Sequence, residues 1–363
     1  MSSSIGSAVR ISLFGESHGP AIGVVVDGLP AGEPISEEYI ARQLARRAPG
    51  QDPTATRRKE PDICQIQSGL KGGCTTGAPL CALIQNQDTR SGDYGNIALC
   101  PRPSHADYAA SLRYDGYNDV AGGGHFSGRL TAPLVVAGAI SRQILLRRGV
   151  HVGGHVLQVG DAVDDAFDPV DLSPALLDQL SETYFSTISP LAGERMRAII
   201  EAARMDMDSV GGLVELAAVG LPAGVGSPMF GGIENVLAAL LYGVPAVKGV
   251  SFGAGFGFAG LQGSQANDPL YMDDDGFVRT ATNNCGGITG GISNGMPLLV
   301  TAALKPTPSI GIPQKTVNLQ TGENTLLRIK GRHDPCIVPR ALPALEAALA
   351  VGLLDLMVEG GKL

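Results

Sequence analysis

Fifty of the 363 residues are glycine, roughly twice the usual share. Glycine alone takes positive φ without steric penalty, so such a chain must make many tight turns or close backbone approaches. These glycines follow no Gly-X-Y period, which excludes a collagen-like rod, and no long Gly/Ser tract reads as a linker. With 44% hydrophobic residues and a mean hydropathy of +0.13, the chain is globular rather than disordered. Its length allows two average domains or one large one, with a sizeable core.

Charge is scarce and negative on balance. Charged residues make up 17%, against about 25% in an average protein. The net charge of −8 and pI near 5.3 oppose general nucleic-acid binding and favour an acidic surface. No uninterrupted apolar stretch reaches the roughly 18 residues of a membrane helix, and the first twenty residues lack a signal-peptide pattern, so a cytoplasmic address without a membrane partner is expected. Cys64, Cys74, Cys81, Cys100, Cys285 and Cys336 contain no CxxC pair; they read as reduced, small, buried hydrophobes rather than zinc ligands or a disulfide framework.

Along the chain, Val9 to Phe14 alternates like a half-buried strand, turns through Gly15-Glu16-Ser17-His18-Gly19 and returns in Ile22 to Val26. Ser36 followed by Glu37 and Glu38 starts a helix that ends before Pro49-Gly50. A core helix, apolar almost all round, is expected from Ala132 or Pro133 to Arg148. Further helices are expected at Ala175 to Phe185, Glu194 to Met205, Ile233 to Leu241 and Leu345 to Val358, and strands at Gly212 to Val219, Val247 to Phe252 and Leu298 to Leu304. The acidic, weakly patterned Asp161 to Glu182 reads as a surface excursion.

Three segments recur in the same order. Gly28-Leu29-Pro30-Ala31-Gly32 is echoed by Gly220-Leu221-Pro222-Ala223-Gly224; Thr76-Gly77-Ala78-Pro79-Leu80 by Asn294-Gly295-Met296-Pro297-Leu298; and Arg102-Pro103-Ser104-His105-Ala106-Asp107 by Gly331-Arg332-His333-Asp334-Pro335. The pattern suggests two related halves, about 5–150 and 205–355, in one domain spanning 1–363.

His18 and His105 each sit in a dense polar loop, the setting in which an imidazole near neutral pKa can be shown to a cleft. His151 and His155 are spaced i, i+4, but Gly153-Gly154 between them is poor helix sequence, so no metal site is expected. Asp273-Asp274-Asp275-Gly276 lacks the other ligands of a calcium loop and reads as an exposed turn. Gly15-Glu16-Ser17-His18-Gly19 also fits the serine-hydrolase elbow, but that elbow needs a helix after it and here a strand is expected. Neither Gly122-Gly123-Gly124 nor Gly286-Gly287-Ile288-Thr289-Gly290-Gly291 matches a dinucleotide or Walker loop, although such loops bring backbone N–H groups against a phosphate or flat ring. Lys305-Pro306-Thr307-Pro308-Ser309 adds a cation and two hydroxyls. Arg42, Arg46, Arg47, Arg57, Arg58 and Lys59 form a cationic island; with Arg102, Arg113, Arg129, Arg332 and Arg340 near the polar loops, convergence would create a pocket for a small polyanion. A serine hydrolase using Ser17 and a non-catalytic anion-binding protein are the alternatives to an enzyme acting on that polyanion.

Phe14 to Gly19, Arg102 to Tyr108, Gly122 to Thr131 and Gly331 to Cys336 resemble, in order, the signature segments of the chorismate synthase family, and the similarity covers about residues 5 to 355. The resemblance implies an α+β fold with central helices sandwiched between mainly antiparallel sheets, a homotetramer, and a carbon–oxygen lyase of the shikimate pathway. That enzyme converts 5-enolpyruvylshikimate 3-phosphate to chorismate and phosphate by 1,4-anti elimination, using reduced FMN without net redox change.

By the same resemblance, His18 protonates the departing phosphate, His105 stabilises the reduced flavin near N1, and Asp334 assists loss of the C6 proton by way of flavin N5. FMN contacts carry over to His125, Phe126, Ser127, Ala246, Gly290, Lys305, Pro306, Thr307, Pro308, Ser309 and Arg332, and substrate contacts to Arg47, Arg129, Arg340 and Ser17. His125-Phe126 and Pro245 depart from common family residues beside the flavin. Pro53 stands where many members carry an Arg, so a nicotinamide-phosphate (NADP) contact is not carried over there. No extra domain is long enough for a flavin reductase, which implies an external reductant for the FMN.

Overall fold

A computed structural model describes residues 3–50, 52, 61–87, 99–329 and 334–363; Pro53, Arg57, Arg58, Lys59, Arg332 and His333 lie outside the described residues. Two five-stranded antiparallel sheets enclose a layer of helices. The first sheet contains β1 (Ser4–Ile5), β2 (Arg10–Gly15), β3 (Ala21–Asp27), β4 (Cys64–Ser68) and β5 (Leu80–Gln85), in the order β1-β2-β3-β5-β4. The second contains β6 (His151–Val159), β7 (Ala162–Val163), β8 (Gly212–Val219), β9 (Val247–Phe252) and β10 (Leu298–Leu304), in the order β9-β10-β8-β6-β7. The three strands expected in the second half have the boundaries read from the sequence.

Between the sheets lie α1 (Glu37–Arg47), α3 (Thr131–Leu146), α6 (Ile233–Gly243) and α7 (Val338–Glu359), and the chain also forms α2 (Asp107–Arg113), α4 (Pro174–Leu180) and α5 (Pro190–Met205). The α+β sandwich is thus the observed architecture. Ser36 caps α1 by accepting from the Tyr39 N–H at 3.1 Å, and Glu37, Glu38, Arg46 and Arg47 complement its dipole. α3 and α7 are apolar all round because they pack against one another and against α1, while α3 also meets both sheets and α7 meets α6 and the second sheet. Their crossing needs a residue without a side chain: a Cβ on Gly138 would lie 2.1 Å from that of Ala347.

Residues 128–146 and 338–359 are long and apolar enough to cross a membrane by length and composition, but 83% and 94% of these stretches are buried inside the fold, as core helices are. α7 begins at Val338 rather than Leu345 because Pro339 falls in its first turn, where no N–H bond is lost, and Pro343 costs one bond in a fully buried environment. The helix expected over Ala175 to Phe185 stops at Leu180 and ends in turns.

Asp161 to Glu182 is not a bare surface excursion. It contributes β7 and α4, and Phe167, Leu172, Leu177 and Leu180 cover Ala217 and Leu299 on the outer face of the second sheet. The cysteines also differ from expectation, since only Cys336 is buried and the other five are half-exposed.

The two sheets share a connection pattern. In chain order their main strands stack first, second, fourth, third: β2-β3-β5-β4 and β6-β8-β10-β9. The echoed loops make the same bonds. Thr75 Oγ1 donates to Pro30 O and accepts from Glu33 N; Ser293 Oγ donates to Pro222 O and accepts from Val225 N.

Candidate active site

The first histidine loop joins β2 to β3 and therefore lies between two antiparallel strands. Ser17 precedes a strand, not a helix, so Gly15 to Gly19 is not a nucleophile elbow. Ser17 is fully buried, and its hydroxyl has no hydrogen-bond partner among the described residues. Asn86, directly after β5, clamps this loop through its amide, which donates to Glu16 O at 3.0 Å and Gly19 O at 2.8 Å.

Gly122, Gly123 and Gly124 form a turn with φ of 60°, 86° and 53°, all left-handed. The Ser17 N–H donates to Gly124 O at 3.1 Å, which ties the turn to the first loop. A Cβ on Gly122 would lie 2.5 Å from His18 Cδ2 and 2.9 Å from Ser17 Oγ, and one on Gly123 would lie 3.4 Å from His105 Nε2. The glycine turn is therefore the surface against which both histidines lie: a side chain on Gly122 would occupy the space of the His18 ring, and one on Gly123 would come into contact with His105.

His105 is held from behind. Its Nδ1 is 2.5 Å from Asp107 Oδ1 and 3.0 Å from Arg102 Nη2, and Arg102 in turn donates to both Asp107 oxygens. Burial opposes ionisation of Asp107, but its bonds to Arg102 and His105 outweigh that and hold its carboxyl well below the usual range. An anionic partner at Nδ1 orients the ring and turns Nε2 towards Gly123.

Arg47, Arg129 and Arg340 converge. Asp62 bridges Arg47 and Arg129, donor groups of both pointing to its two oxygens, while Arg340 pairs with Asp334 and donates to Arg47 O at 3.2 Å. Burial lowers Arg47 to about 10 against the pull of Asp62, with Arg340 and Arg129 adding like-charge repulsion. Arg129 also donates to Asn86 Oδ1 at 3.1 Å, so bonded contacts run from Asp334 through the arginines to the His18 loop.

Lys305, directly after β10, donates from Nζ to Ser104 O at 2.8 Å, and Ser309 accepts from Arg102 at 3.2 Å, which joins the 305–309 loop to the His105 loop. Burial pushes the Lys305 ammonium below its usual value, with Lys248 adding to the effect. Thr307 Oγ1 is buried without a hydrogen-bond partner among the described residues, and Ser209 donates to Thr307 O. Gln314 holds Pro308 O, while Pro306 packs beside Gly211. Ala246 takes a left-handed φ of 76° beside Pro245 and accepts from Lys305 N.

His125 spans Gly15 O and Ser3 Oγ, Phe126 packs at 6.2 Å from the Tyr114 ring, and Ser127 caps the turn carrying Arg129. Gly290 is at the tip of a two-stranded ribbon, and the next residue, Gly291, packs against Ser227 and Gly232. Gly286 and Gly287 are required by packing, since side chains there would strike Gly253 and Pro297 backbone.

A family model described as chorismate synthase matches residues 9–358. The chorismate synthase of Thermococcus kodakarensis is 47% identical over 350 residues, 96% of each chain. That of Methanocella arvoryzae is 46% identical over 362 residues, covering 98% of this chain and 94% of the relative. The chain belongs to the chorismate synthase family. A crystal structure of a chorismate synthase superposes with a TM-score of 0.77 at 27% identity, over 98% of this chain and 93% of the other.

The chorismate synthase signature segments contain His18, His105, Arg129 and Asp334, but two of the residues that organise them, Asp62 and Asn86, lie outside those segments. Asp107 and Arg102 were visible as neighbours of His105 in one loop, with a charge pair at i, i+5 as the only signal. Asp62 and Asn86 carried none, because their partners lie 15 to 70 residues away and are met only across the folded loops.

Proposed function

We propose that this chain releases phosphate from 5-enolpyruvylshikimate 3-phosphate by 1,4-anti elimination, forming chorismate in the shikimate pathway with reduced FMN and no net redox change. The observation that carries the reading is the glycine turn packed against both His18 and His105, beside a convergence of three arginines. A substrate with two carboxylates and a phosphate needs such a cationic pocket, even in a protein of net charge −8.

The residues present fit FMN. Lys305, Thr307 and Ser309 would hold its phosphate, and the buried Thr307 hydroxyl suits a ligand that supplies its missing partner. Ala246, His125, Phe126, Ser127, Gly290 and Arg332 are the remaining proposed contacts; Gly290 lies on a ribbon of the second half. When bound, reduced FMN supplies electron density for C–O cleavage and recovers it. Arg47, Arg129, Arg340 and Ser17 bind and orient the substrate, His18 donates a proton to the leaving phosphate, and His105 offers Nε2 to negative charge on the cofactor. Asp334, paired with Arg340, acts on the side of the departing carbon-bound proton.

The same reading includes a cytoplasmic homotetramer, an external source of reduced flavin, and an origin of the two sheets by duplication, supported by their common strand order and loop bonds. Anaerobic assays decide the reaction: phosphate is released with dithionite-reduced FMN and not with oxidised FMN, and equal rates in the two would refute it. A folded His18→Ala protein that binds FMN should lose turnover by roughly 10²–10⁴-fold, the contribution of general acid catalysis. Saturable substrate binding without phosphate release would favour an anion-binding protein instead.

A further inference from the structure

We propose that Asp62 is a positioning residue for the anionic substrate, its buried carboxylate fixing the guanidinium planes of Arg47 and Arg129; this rests on the reaction proposed above. The Asp62 side chain is fully buried, and each of its oxygens takes one arginine: Oδ2 accepts from Arg47 Nη1 at 2.5 Å and Oδ1 accepts from Arg129 Nη1. Both guanidinium groups are caught at a second point as well. Arg47 Nε donates to Thr131 Oγ1 and Arg129 Nε to Asn86 Oδ1, each at 3.1 Å.

A guanidinium is planar, so bonds at Nε and Nη1 together set its orientation. Two fixed planes facing one buried carboxylate make a pair of cations whose spacing is decided before the substrate arrives, which lowers the ordering cost of binding. The backbone is committed to this arrangement too. Asp62 has φ of 47°, a left-handed conformation that few residues other than glycine, asparagine and aspartate adopt readily. Among the described residues, Arg47, Arg129 and Arg340 face Asp62 and Asp334, three cations against two anions, so these carboxylates organise the arginines without matching their number.

A carboxylate that only neutralised buried charge for folding would change stability, whereas one acting through the arginines changes substrate binding. The test compares wild type, Asp62→Asn, Arg47→Lys and the double variant. It measures steady-state kinetics with reduced FMN, and calorimetric binding of 5-enolpyruvylshikimate 3-phosphate to the FMN-free protein. Asp62→Asn should raise KM and Kd roughly 10–100-fold with kcat within about threefold, the pattern of lost uniform binding through a supporting shell. The double variant should fall at least roughly tenfold short of the product of the single effects, because both act on one guanidinium.

KM and Kd within twofold of wild type in Asp62→Asn, or multiplicative single effects, would overturn the proposal. Should Asp62→Asn not fold, Thr131→Val removes the Nε anchor without altering charge, and an unchanged KM there overturns the two-point fixation. A wild type that binds the substrate but never releases phosphate refutes the reaction and leaves the Kd comparison to judge Asp62. A wild type that turns over normally beside a neutral Asp62→Asn refutes Asp62 alone.

Discussion

Gly122 shows most directly how one residue controls the site. Its φ of 60° is open to alanine at a modest cost, but the added Cβ would fall 2.5 Å from His18 Cδ2, well inside contact distance. Gly116 has a comparable φ of 77° with nothing within 4 Å of an added Cβ, so Gly116→Ala carries the conformational cost without the collision. Gly122→Ala should lower phosphate release by roughly 10²-fold or more, as expected when a catalytic group is displaced by about an ångström, while Gly116→Ala stays near wild type with a similar melting temperature. Equal rates in the two variants would remove the turn from any role in placing His18. The sequence marked this triplet as a loop where backbone approaches something closely. That the something is a pair of histidine rings, from loops about 20 and 100 residues earlier, is a long-range fact no local pattern carries. Asp62 was hidden for the same reason, and Asp107 only half hidden because its partner is two residues away.

At the level of elements, β6 and β8 carry a buried charge cluster that the sequence presented as a poor metal pair. His155 is fully buried, with Nδ1 2.9 Å from Asp164 and Nε2 2.9 Å from Glu215. Asp164 also accepts from Ile188 N and Ser189 N, and Glu215 from Phe167 N, so the cluster pins the segment that covers the outer face of the second sheet. Burial disfavours the imidazolium, but the two carboxylates outweigh it and raise the His155 pKa. A raised folded pKa stabilises the fold fully below the unfolded value near 6.5 and loses that stabilisation as pH climbs towards the folded value, by up to about 1.4 kcal/mol per pH unit. Asp164, held below its usual range despite burial, sets the acid side, where its contribution fades as pH falls through its lowered value. Wild type should therefore melt lower at pH 9 than at pH 6. His155→Ala should lose about 3–5 kcal/mol at pH 6, the cost of removing one partner from a buried pair, and show a flatter profile between pH 6 and 9 in thermal or urea unfolding. An unchanged slope would separate this cluster from the pH dependence. Strands β8, β9 and β10 were legible to the residue because short apolar runs bounded by Gly and Pro give unambiguous ends. The start of α7 was not, since Pro339 and Pro343 look like breakers unless the surrounding core is known.

Over the whole molecule, the two faces of the sandwich and their margins are finished differently. The second sheet is covered by α4 and its neighbours. By contrast Met229, Phe230, Phe256, Leu270, Met272 and Phe277, all in the second half, are exposed, as is Phe14 on the first sheet. Ile63, Leu112 and Tyr117 of the first half are exposed as well, and large apolar side chains left uncovered in contiguous patches mark association surfaces. That gives the proposed homotetramer a physical basis in this chain and a variant that tests it. Phe256 is 91% exposed and lies in a short helical turn outside the packed layers, so Phe256→Asp removes no core contact. If the second-half residues close the assembly, light scattering should show wild type as a tetramer and Phe256→Asp as a smaller species with an unchanged far-ultraviolet spectrum. Buried interface aromatics are frequent hot spots, so a single charge there is sufficient to shift the equilibrium. A wild-type monomer would overturn the tetramer, and a Phe256→Asp tetramer as stable as wild type would move the contact to another face, with the partly exposed first sheet around Phe14 the next to test.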